Sequence, residues 1–263
     1  MAPQLPPGYR RRAYATLAST NGEALKAARQ GEAGGLWITA RQQSQGRGRR
    51  GRPWSTAEGN LAASLLLIDP APAEVAPTLS FVAAVALHQA VIDLAGPAVA
   101  ERLELKWPND LLLDGFKTAG ILVEGERRPT GGLAVVVGIG VNCVSHPDPA
   151  NGHPASDLRS RGILVDVEAL VVALASRLAA EIETWSRGAG FAATRSAWLA
   201  RCTGIGQPIR ADLGERVIDG RFETLDAAGR LIVTRADGRR EWVSAGDVFL
   251  TAAGSPVREP HDG

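Results

Sequence analysis

Residues 103–141 read LELKWPNDLLLDGFKTAGILVEGERRPTGGLAVVVGIGV and carry most of the signals that decide the fold. Four apolar segments, 103–107, 111–113, 118–124 and 133–141, follow one another with short connections between them. The dipeptide Asp114-Gly115, between the second and third segments, is a strong signal for a two-residue β-hairpin turn. Strands this close in sequence usually pair with one another, so the stretch predicts the centre of a β-sheet.

Outside this stretch, helical and strand signals alternate up to about residue 201. Thr20-Asn21-Gly22-Glu23 has the pattern of a capping box and predicts the start of a first helix. Apolar runs at 36–40 and 61–67 predict two further strands. Helical spacing predicts three more helices, over 79–94, 166–187 and 191–201. Grouped strands with helices outside them indicate the α+β class, a mixed β-sheet with packed helices.

From residue 207 onward every apolar segment is short. Six candidate strands are separated by turn residues: 209–213, 217–219, 221–225, 231–235, 241–244 and 248–250. Short strands at this spacing predict a small β-barrel of about 50 residues. We therefore divide the chain into a larger domain over 1–203, a small barrel over 204–252 and a flexible tail over 253–263.

Composition disfavours several classes of protein. The 29 basic and 28 acidic residues give a net charge of +1, so any affinity for anions must come from local clusters. The longest apolar run, 61–68, falls short of the roughly 20 residues that span a bilayer, and the N-terminus lacks the apolar core of a secretory signal. Cys143 and Cys202 fit neither a zinc site nor a disulfide framework. We expect a cytoplasmic protein.

The densest positive charge lies in the loop 41–54, RQQSQGRGRRGRPW. Four arginines alternate there with glycines: Arg47, Arg49, Arg50 and Arg52. Guanidinium groups bind carboxylate or phosphate bidentately, and glycine lets backbone N–H groups approach a ligand. The loop predicts an anion-binding segment that orders around its ligand. The alternatives are a solvated basic loop and an RNA-binding arginine-glycine tract. RNA-binding tracts usually repeat, whereas this one occurs once between two core strands.

A second unusual segment is Lys106-Trp107-Pro108-Asn109-Asp110, which joins a cation to a carboxylate at the end of a strand. The Lys106 ammonium can hold phosphate as a point charge, and Asp110 can contact Mg²⁺. Pro-Asn-Asp is also ordinary turn chemistry, so the residues alone leave both interpretations open.

Glycines interrupt two of the central strands, Gly120 in one and Gly138 with Gly140 in the other. Glycine inside a strand indicates close approach of a ligand or another segment. The sequence contains no dinucleotide fingerprint, no Walker loop and no G-x-S-x-G elbow, and Cys143 has the pattern of a small buried residue. Cations and glycines without a nucleophile favour phosphate chemistry, which depends on positioning and charge stabilisation.

Taken together, five segments resemble the motifs of the biotin–protein ligases, in the order of that family. They are 19–21 (STN), Gln43 with 46–52 (GRGRRGR), 106–110 (KWPND), 117–124 (KTAGILVE) and 138–142 (GIGVN). The resemblance runs from about Ser19 to Leu250 and implies a class II synthetase-like biotin/lipoate ligase catalytic domain followed by a small SH3-like β-barrel. Many family members carry an N-terminal DNA-binding domain, for which little chain precedes Ser19. We therefore expect a monofunctional ligase that does not bind DNA.

The resemblance implies a two-step reaction that uses biotin, ATP and Mg²⁺. Biotin attacks the α-phosphate of ATP to give biotinyl-5′-AMP and pyrophosphate. A lysine of a biotin carboxyl carrier protein domain, from acetyl-CoA carboxylase or a related carboxylase, then displaces AMP. Arg47, Arg49 and Lys117 are expected to be the catalytic cations, which hold the carboxylate and the α-phosphate.

The family motifs imply the remaining site residues. Biotin is expected to contact Ser19, Thr20, Asn21 and Gln43 at its ureido end, and also Arg47, Gly48, Arg49, Lys117, Gly120, Gly138 and Gly140. ATP or the adenylate is expected to contact Arg49, Arg50, Arg52, Trp54, Lys106, Asn109, Lys117 and Asn142, with Asp110 as the Mg²⁺ contact. Two departures from the family pattern are Gly22, where an acidic residue is usual, and Pro53, which stiffens the loop exit.

Two alternatives follow from the same residues. A lipoate–protein ligase has a similar fold and adenylate chemistry, although the arginine-glycine loop and KWPND favour biotin. A non-catalytic nucleic-acid-binding protein would use residues 47–52, but the net charge and the lack of a broad basic face argue against it. Both a monomer and a homodimer are compatible with the sequence.

Overall fold

The computed structural model describes residues 4–147 and 154–250, and the chain divides into two compact units, residues 1–201 and 202–263. The first unit contains the strands β1 (Arg10–Leu17), β2 (Leu36–Gln43), β3 (Leu61–Ile68), β4 (Leu103–Lys106), β5 (Asp110–Leu113), β6 (Phe116–Arg127) and β7 (Leu133–Val141). Its helices are α1 (Thr20–Arg29), α2 (Leu79–Ala95), α3 (Val167–Trp185) and α4 (Phe191–Leu199).

The seven strands form one mixed sheet in the order β1-β2-β3-β7-β6-β5-β4. Strand β1 runs parallel to β2, and the other neighbours are antiparallel. The predicted α+β class with a mixed sheet and packed helices is therefore confirmed. The sequence did not predict β1, because this edge strand buries no residue and so shows no apolar alternation.

Local signals placed the hairpin and the long helices correctly. Asp114 (φ 53°) and Gly115 (φ 79°) both take the left-handed conformation that a type I′ turn requires between β5 and β6. Helix α2 ends where Gly96 adopts φ 88°, and Asp166 caps α3 by accepting a hydrogen bond from the Ala169 N–H at 2.8 Å.

The predicted capping box of α1 is wrong by one residue. Ser19, not Thr20, is the N-cap, and its side chain accepts from the Gly22 N–H at 3.3 Å. The Thr20 N–H donates instead to Oε1 of Gln43, 2.8 Å away on β2. A side chain distant in sequence satisfies this amide, so the local pattern could not reveal the boundary.

The hydrophobic core lies between the sheet and its helices. Helix α1 buries Ala24, Ala27 and Ala28 against β2, β3 and β7. Phe81 of α2 packs edge-on against Phe191 and Trp198 of α4, at ring-centroid distances of 5.6 and 5.4 Å. The segment Ala76–Ala95 has the length and mean hydropathy (1.6) of a membrane span, but its most apolar stretch is 67% buried by protein, as in a core helix.

The second unit is a five-stranded antiparallel sheet in the order β11-β10-β9-β8-β12. Its strands are β8 (Pro208–Asp212), β9 (Val217–Leu225), β10 (Leu231–Thr234), β11 (Arg240–Val243) and β12 (Asp247–Leu250). The predicted strands 217–219 and 221–225 form one strand, β9, which continues through Gly220. A Cβ at Gly220 would lie 2.6 Å from the Thr234 carbonyl oxygen, so glycine here allows β10 to approach closely. The predicted tail, 253–263, lies outside the described residues.

Candidate active site

The predicted site residues lie mainly on one face of the large sheet. Gly120 on β6 pairs directly with Gly140 on β7, and Leu122 pairs with Gly138. Cross-strand partners share a face and alternate residues repeat it, so Gly120, Gly138 and Gly140 lie on the same side of the sheet. The first turn of α1 and the loop between β2 and β3 cover this face.

A buried hydrogen-bond network forms at one end of that face. Gln43 Oε1 accepts from the Thr20 N–H and lies 3.1 Å from the Thr20 hydroxyl, while Gln43 Nε2 donates to Thr56 Oγ1 at 3.0 Å. Ser64 on β3, fully buried, lies 2.7 Å from Thr20 Oγ1 and donates to Asn21 Oδ1 at 2.6 Å. Hydrogen bonds thus hold three of the predicted ureido-binding residues, Thr20, Asn21 and Gln43, next to one another.

Glu124 on β6 joins this network to the arginine-glycine loop. Its Oε2 accepts from Asn21 Nδ2 at 2.7 Å. Its carboxylate also accepts from Arg47, at 3.1 Å to Oε1 and 3.2 Å to Oε2. Arg47 therefore lies beside Asn21, at the end of the face where the ureido group was predicted.

Two side chains pack against the glycines of the sheet. A Cβ on Gly138 would lie 2.1 Å from Asn21 Oδ1, and a Cβ on Gly140 would lie 2.4 Å from Trp54 Nε1. The Trp54 ring also reaches Gly120, where a Cβ would be 3.2 Å from Cζ3. The three glycines were predicted to make room for biotin; in this structure Asn21 packs against Gly138, and Trp54 packs against Gly120 and Gly140.

The arginine-glycine loop forms a tight hairpin. The Trp54 N–H donates to the Gly46 carbonyl at 2.9 Å, and the Gly48 N–H donates to the Arg52 carbonyl at 2.7 Å. At its tip Arg50 takes a left-handed conformation (φ 55°). The neighbouring Arg49 donates to Asn109 Oδ1 at 3.3 Å, and Asn109 Nδ2 donates to the Ile121 carbonyl at 2.6 Å.

Lys117 lies at the other end of the glycine face. Its Nζ is 2.7 Å from Asp110 Oδ1 and 5.8 Å from the centroid of the Trp54 ring. It also approaches Gly120, whose Cβ would be 3.7 Å from Nζ. Lys106 stands opposite Asp110 in the register of β4 and β5. Lys117, Asp110 and Trp54 therefore form one cluster, which Asn109 and Arg49 adjoin.

Asn142 and Cys143 follow β7 and are buried. Asn142 Nδ2 donates to the Ser156 carbonyl at 3.1 Å, and the Ser156 N–H donates to the Lys117 carbonyl at 2.9 Å. These two bonds hold the segment that contains Ser156 beside Lys117. Burial raises the pKa of the Cys143 thiol to about 12. The prediction that Cys143 is a small buried residue without nucleophilic reactivity agrees with this environment.

Sequence reasoning missed three residues of the ureido-end network. Glu124 ends the motif 117–124, but the sequence predicted no function for it, because its partners Asn21 and Arg47 are distant in sequence. Ser64 and Thr56 also received none. A serine in the middle of a strand as apolar as β3 is a signal that could have been used, because a buried hydroxyl needs a partner.

Asp110 is the carboxylate of the Lys117 cluster that could contact a metal ion. Within residues 4–147 and 154–250 no three His, Cys, Asp or Glu side chains form a group that could hold a metal ion. Asp110 contributes one carboxylate, whose Oδ1 faces Lys117. Mg²⁺ binds through one or two carboxylates when substrate phosphates supply other ligands. The one carboxylate of this cluster therefore fits a Mg²⁺ ion whose other ligands a nucleotide would supply.

Family models place this chain among the protein ligases of the biotin/lipoate class. The model of the Biotin/lipoate A/B protein ligase family matches residues 15–142, and that of the Biotin protein ligase C terminal domain matches residues 204–251. The chain is 44% identical to a biotin–[acetyl-CoA-carboxylase] ligase of Paracoccus denitrificans over 88% of this chain and 97% of that protein. It belongs to the biotin protein ligase family, which confirms the prediction from the motifs.

A second relative and a solved structure are also similar to this chain. A biotin–[acetyl-CoA-carboxylase] ligase of Mycobacterium tuberculosis is 33% identical, over 89% of this chain and 86% of that protein. The structure of an Aquifex aeolicus biotin protein ligase in complex with biotin and ATP has a similar fold, with a TM-score of 0.77 and 21% identity over 92% of this chain and 99% of that one.

Proposed function

We propose that this chain is a biotin–[acetyl-CoA-carboxylase] ligase, which activates biotin with ATP and transfers it to a lysine of a carrier protein. Family membership supports the reaction, and the layout of the site supports the substrate. One observation carries the proposal: a glycine floor on β6 and β7 has a hydrogen-bonding network at one end and the Lys117 ammonium at the other. This layout fits an elongated acid with a polar ring at one end and a carboxylate at the other.

The dimensions of the floor fit such a ligand. Gly120 and Glu124 are four residues apart on β6, and a strand rises about 3.3 Å per residue, so they lie about 13 Å apart along it. The ureido group of biotin would bind among Ser19, Thr20, Asn21 and Gln43. Its rings and tail would follow Gly138, Gly140 and Gly120 beside Trp54, with the Gly48 backbone above. Its carboxylate would then reach Lys117.

The first step is the attack of a biotin carboxylate oxygen on the α-phosphorus of ATP. The bond between that phosphorus and the β-phosphate bridging oxygen breaks, and pyrophosphate leaves. Lys117 and Arg49 would bring the two anions together and stabilise the charge that builds up at the phosphorus. Arg47 is paired with Glu124 and would have to break this ion pair to reach the reacting centre. We therefore propose that Arg47 acts at the ureido end of the site.

The second step is the attack of a carrier lysine on the acyl carbonyl of biotinyl-5′-AMP. An amide bond forms, the acyl–oxygen bond breaks, the amine loses a proton, and AMP leaves. Arg50, Arg52, Lys106, Asn109 and Asn142 are proposed to line the nucleotide and phosphate site. When bound, Mg²⁺ would neutralise phosphate charge, with Asp110 as its contact on the protein.

The carrier is proposed to be a biotin carboxyl carrier protein domain of acetyl-CoA carboxylase or a related carboxylase. We propose a cytoplasmic location, where such a carrier and ATP occur together. We further propose that the chain acts without DNA or a membrane. Light scattering of the purified protein would distinguish a monomer from a homodimer.

Incubation of the purified chain with ATP, Mg²⁺ and either biotin or lipoate tests the proposed activity. We expect pyrophosphate release and an acyl-adenylate with biotin and little of either with lipoate. Addition of a carrier domain should give a biotinylated lysine that mass spectrometry detects. A preference for lipoate would assign the chain to the alternative ligase activity, and absence of pyrophosphate with both acids would refute the proposal.

A further inference from the structure

The Glu124 carboxylate accepts hydrogen bonds from both Asn21 and Arg47 of the arginine-glycine loop. It lies on β6 four residues beyond Gly120, with its side chain 27% exposed. Arg47 contributes both Nε and Nη2 to the pair, at 3.3 and 3.1 Å from Oε1. Paired guanidinium donors of this kind fix direction as well as distance.

The carboxylate fixes the orientation of the Asn21 amide. An ionised carboxylate only accepts hydrogen bonds, so the group that faces Glu124 must be the NH₂ of Asn21. The Asn21 oxygen then faces the Ser64 hydroxyl, 2.6 Å away, which donates to it. One amide proton is donated to Glu124 at 2.7 Å, and the other is directed toward the Leu122 carbonyl over a longer distance of 3.4 Å. A ligand carbonyl such as the oxygen of a ureido group would compete with Leu122 for that second proton.

The same carboxylate attaches the loop to the sheet. The backbones of Arg47 and Pro53 form an isolated β-bridge, so Arg47 lies at the base of the hairpin that carries Arg49 and Trp54. An interaction at the base restrains the direction in which the whole hairpin leaves the sheet. Glu124 therefore connects the predicted ureido site to the loop that carries Arg49, a proposed catalytic cation.

We infer that Glu124 is a positioning residue that orients Asn21 toward the ureido group of biotin and, through Arg47, anchors the arginine-glycine loop over the bound acid. The inference rests on the proposed function. Its role is to place other groups, since Glu124 lies about 13 Å along β6 from Gly120, which Lys117 approaches. Loss of the charge should weaken both connections while leaving the chemistry at Lys117 intact.

Glu126 provides a matched control two residues farther along β6. It lies on the same face of the strand, and its Oε2 accepts from Arg29 Nη1 at 2.7 Å. Each glutamate thus pairs with one arginine, but Glu126 pairs with the end of α1 and not with the loop. Exposed or half-exposed ion pairs contribute about 0–1 kcal/mol to stability, so Glu124→Gln and Glu126→Gln should both fold.

The test compares the kinetics of wild type, Glu124→Gln and Glu126→Gln in biotin-dependent pyrophosphate release. For Glu124→Gln we expect the KM for biotin to rise about tenfold, the size of effect that loss of a hydrogen bond to a charged group produces, with kcat changed less than about twofold. The KM for ATP should stay near wild type, and Glu126→Gln should match wild type in all three constants. Equal biotin KM values in the two variants would overturn the inference.

Limited trypsin digestion without ligand separates this inference from the proposed function. Glu124→Gln should be cleaved faster than Glu126→Gln after Arg47, Arg49 or Arg50, because the base of the loop has lost its ion pair. A double variant, Arg47→Gln with Glu124→Gln, should raise the biotin KM by less than the product of the single effects. If wild type forms no biotinyl-AMP, the proposed function fails while the digestion still reports on the anchor. Equal cleavage of the two glutamine variants would refute the anchoring role whatever the activity.

Discussion

At the scale of single residues, the floor of the site depends on glycine at paired positions of two strands. Gly120 and Gly140 are direct partners on β6 and β7, and the Trp54 ring lies on both. Any side chain at Gly140 would occupy the volume of the indole. The Trp54 ring can therefore lie against β7 only because residue 140 has no Cβ.

Gly140→Ala is predicted to weaken biotin binding without unfolding the protein. Its Cβ would fall 2.4 Å from Trp54 Nε1 and Cε2, so the ring must leave the sheet and the floor narrows. We expect the KM for biotin to rise about tenfold, equivalent to about 1.4 kcal/mol of lost binding. Gly125→Ala on β6 is the control, since its Cβ would meet only ordinary contacts, the nearest being Leu133 Cδ1 at 3.7 Å. Similar KM values in the two variants would show that the glycine floor is not part of the biotin site.

Lys117→Ala and Arg49→Ala are predicted to fold and to lose adenylation. Each change removes a positive charge proposed to act where charge builds up on the α-phosphate, and loss of such a group typically slows a reaction about 100- to 1000-fold. Pyrophosphate release measures the rate, and circular dichroism checks the fold. Lys26→Ala, which removes an exposed lysine paired with Glu23 within α1, should keep full activity. Turnover near the wild-type level in either site variant would refute that assignment.

At the scale of elements, helix α2 contains a buried histidine that makes stability depend on pH. Burial, reinforced by the positive charge of Arg201, lowers the pKa of His88 to about 4 from 6.5. In the unfolded chain His88 takes up a proton below pH 6.5, whereas in the folded protein it stays neutral down to about pH 4. The unfolded state is therefore favoured as the pH falls through this window, by up to about 3 kcal/mol in total.

Replacement of His88 by leucine is predicted to remove this pH dependence. The free energy of unfolding, measured with urea at several pH values, should fall less steeply between pH 6.5 and 4 in His88→Leu than in wild type. Above pH 7 the difference between the two proteins should be constant, because His88 is then neutral in both states. Parallel curves across the whole range would contradict the assignment, since carboxylates contribute equally to both proteins.

The elements also show what sequence alone could establish. The strands of residues 103–141, the Asp114-Gly115 hairpin and helix α2 were predicted because their signals are local spacing and turn chemistry. Strand β1 was missed because it lies at the sheet edge and buries no side chain.

Within the site, motifs identified the residues, but their partners could not be predicted. Pairs such as Asn21 with Glu124 or Lys117 with Asp110 exist only once the strands are in register. The packing of Trp54 on two glycines has the same origin, because it depends on how the loop returns to the sheet.

At the scale of the whole molecule, charge decides between a ligase and a nucleic-acid binder. The chain as a whole has a net charge of +1, so long-range attraction of a polyanion is weak. Locally, Arg47 of the arginine-glycine loop is paired with Glu124, and Arg49 donates to Asn109. Part of the positive charge of the loop is therefore directed toward the candidate site.

Binding of the purified chain to a random DNA duplex is accordingly predicted to be weak at about 150 mM salt, because few phosphates can be neutralised at once. A gel shift at low salt should disappear as salt rises, and biotin with ATP should reduce it, since the adenylate would occupy the same arginines. Arg50→Gln, at the exposed tip of the loop, should weaken the low-salt shift, whereas Arg177→Gln, on α3 and paired with Asp93, should not. Tight binding at 150 mM salt, unaffected by biotin and ATP and accompanied by no pyrophosphate release, would instead favour the nucleic-acid-binding alternative.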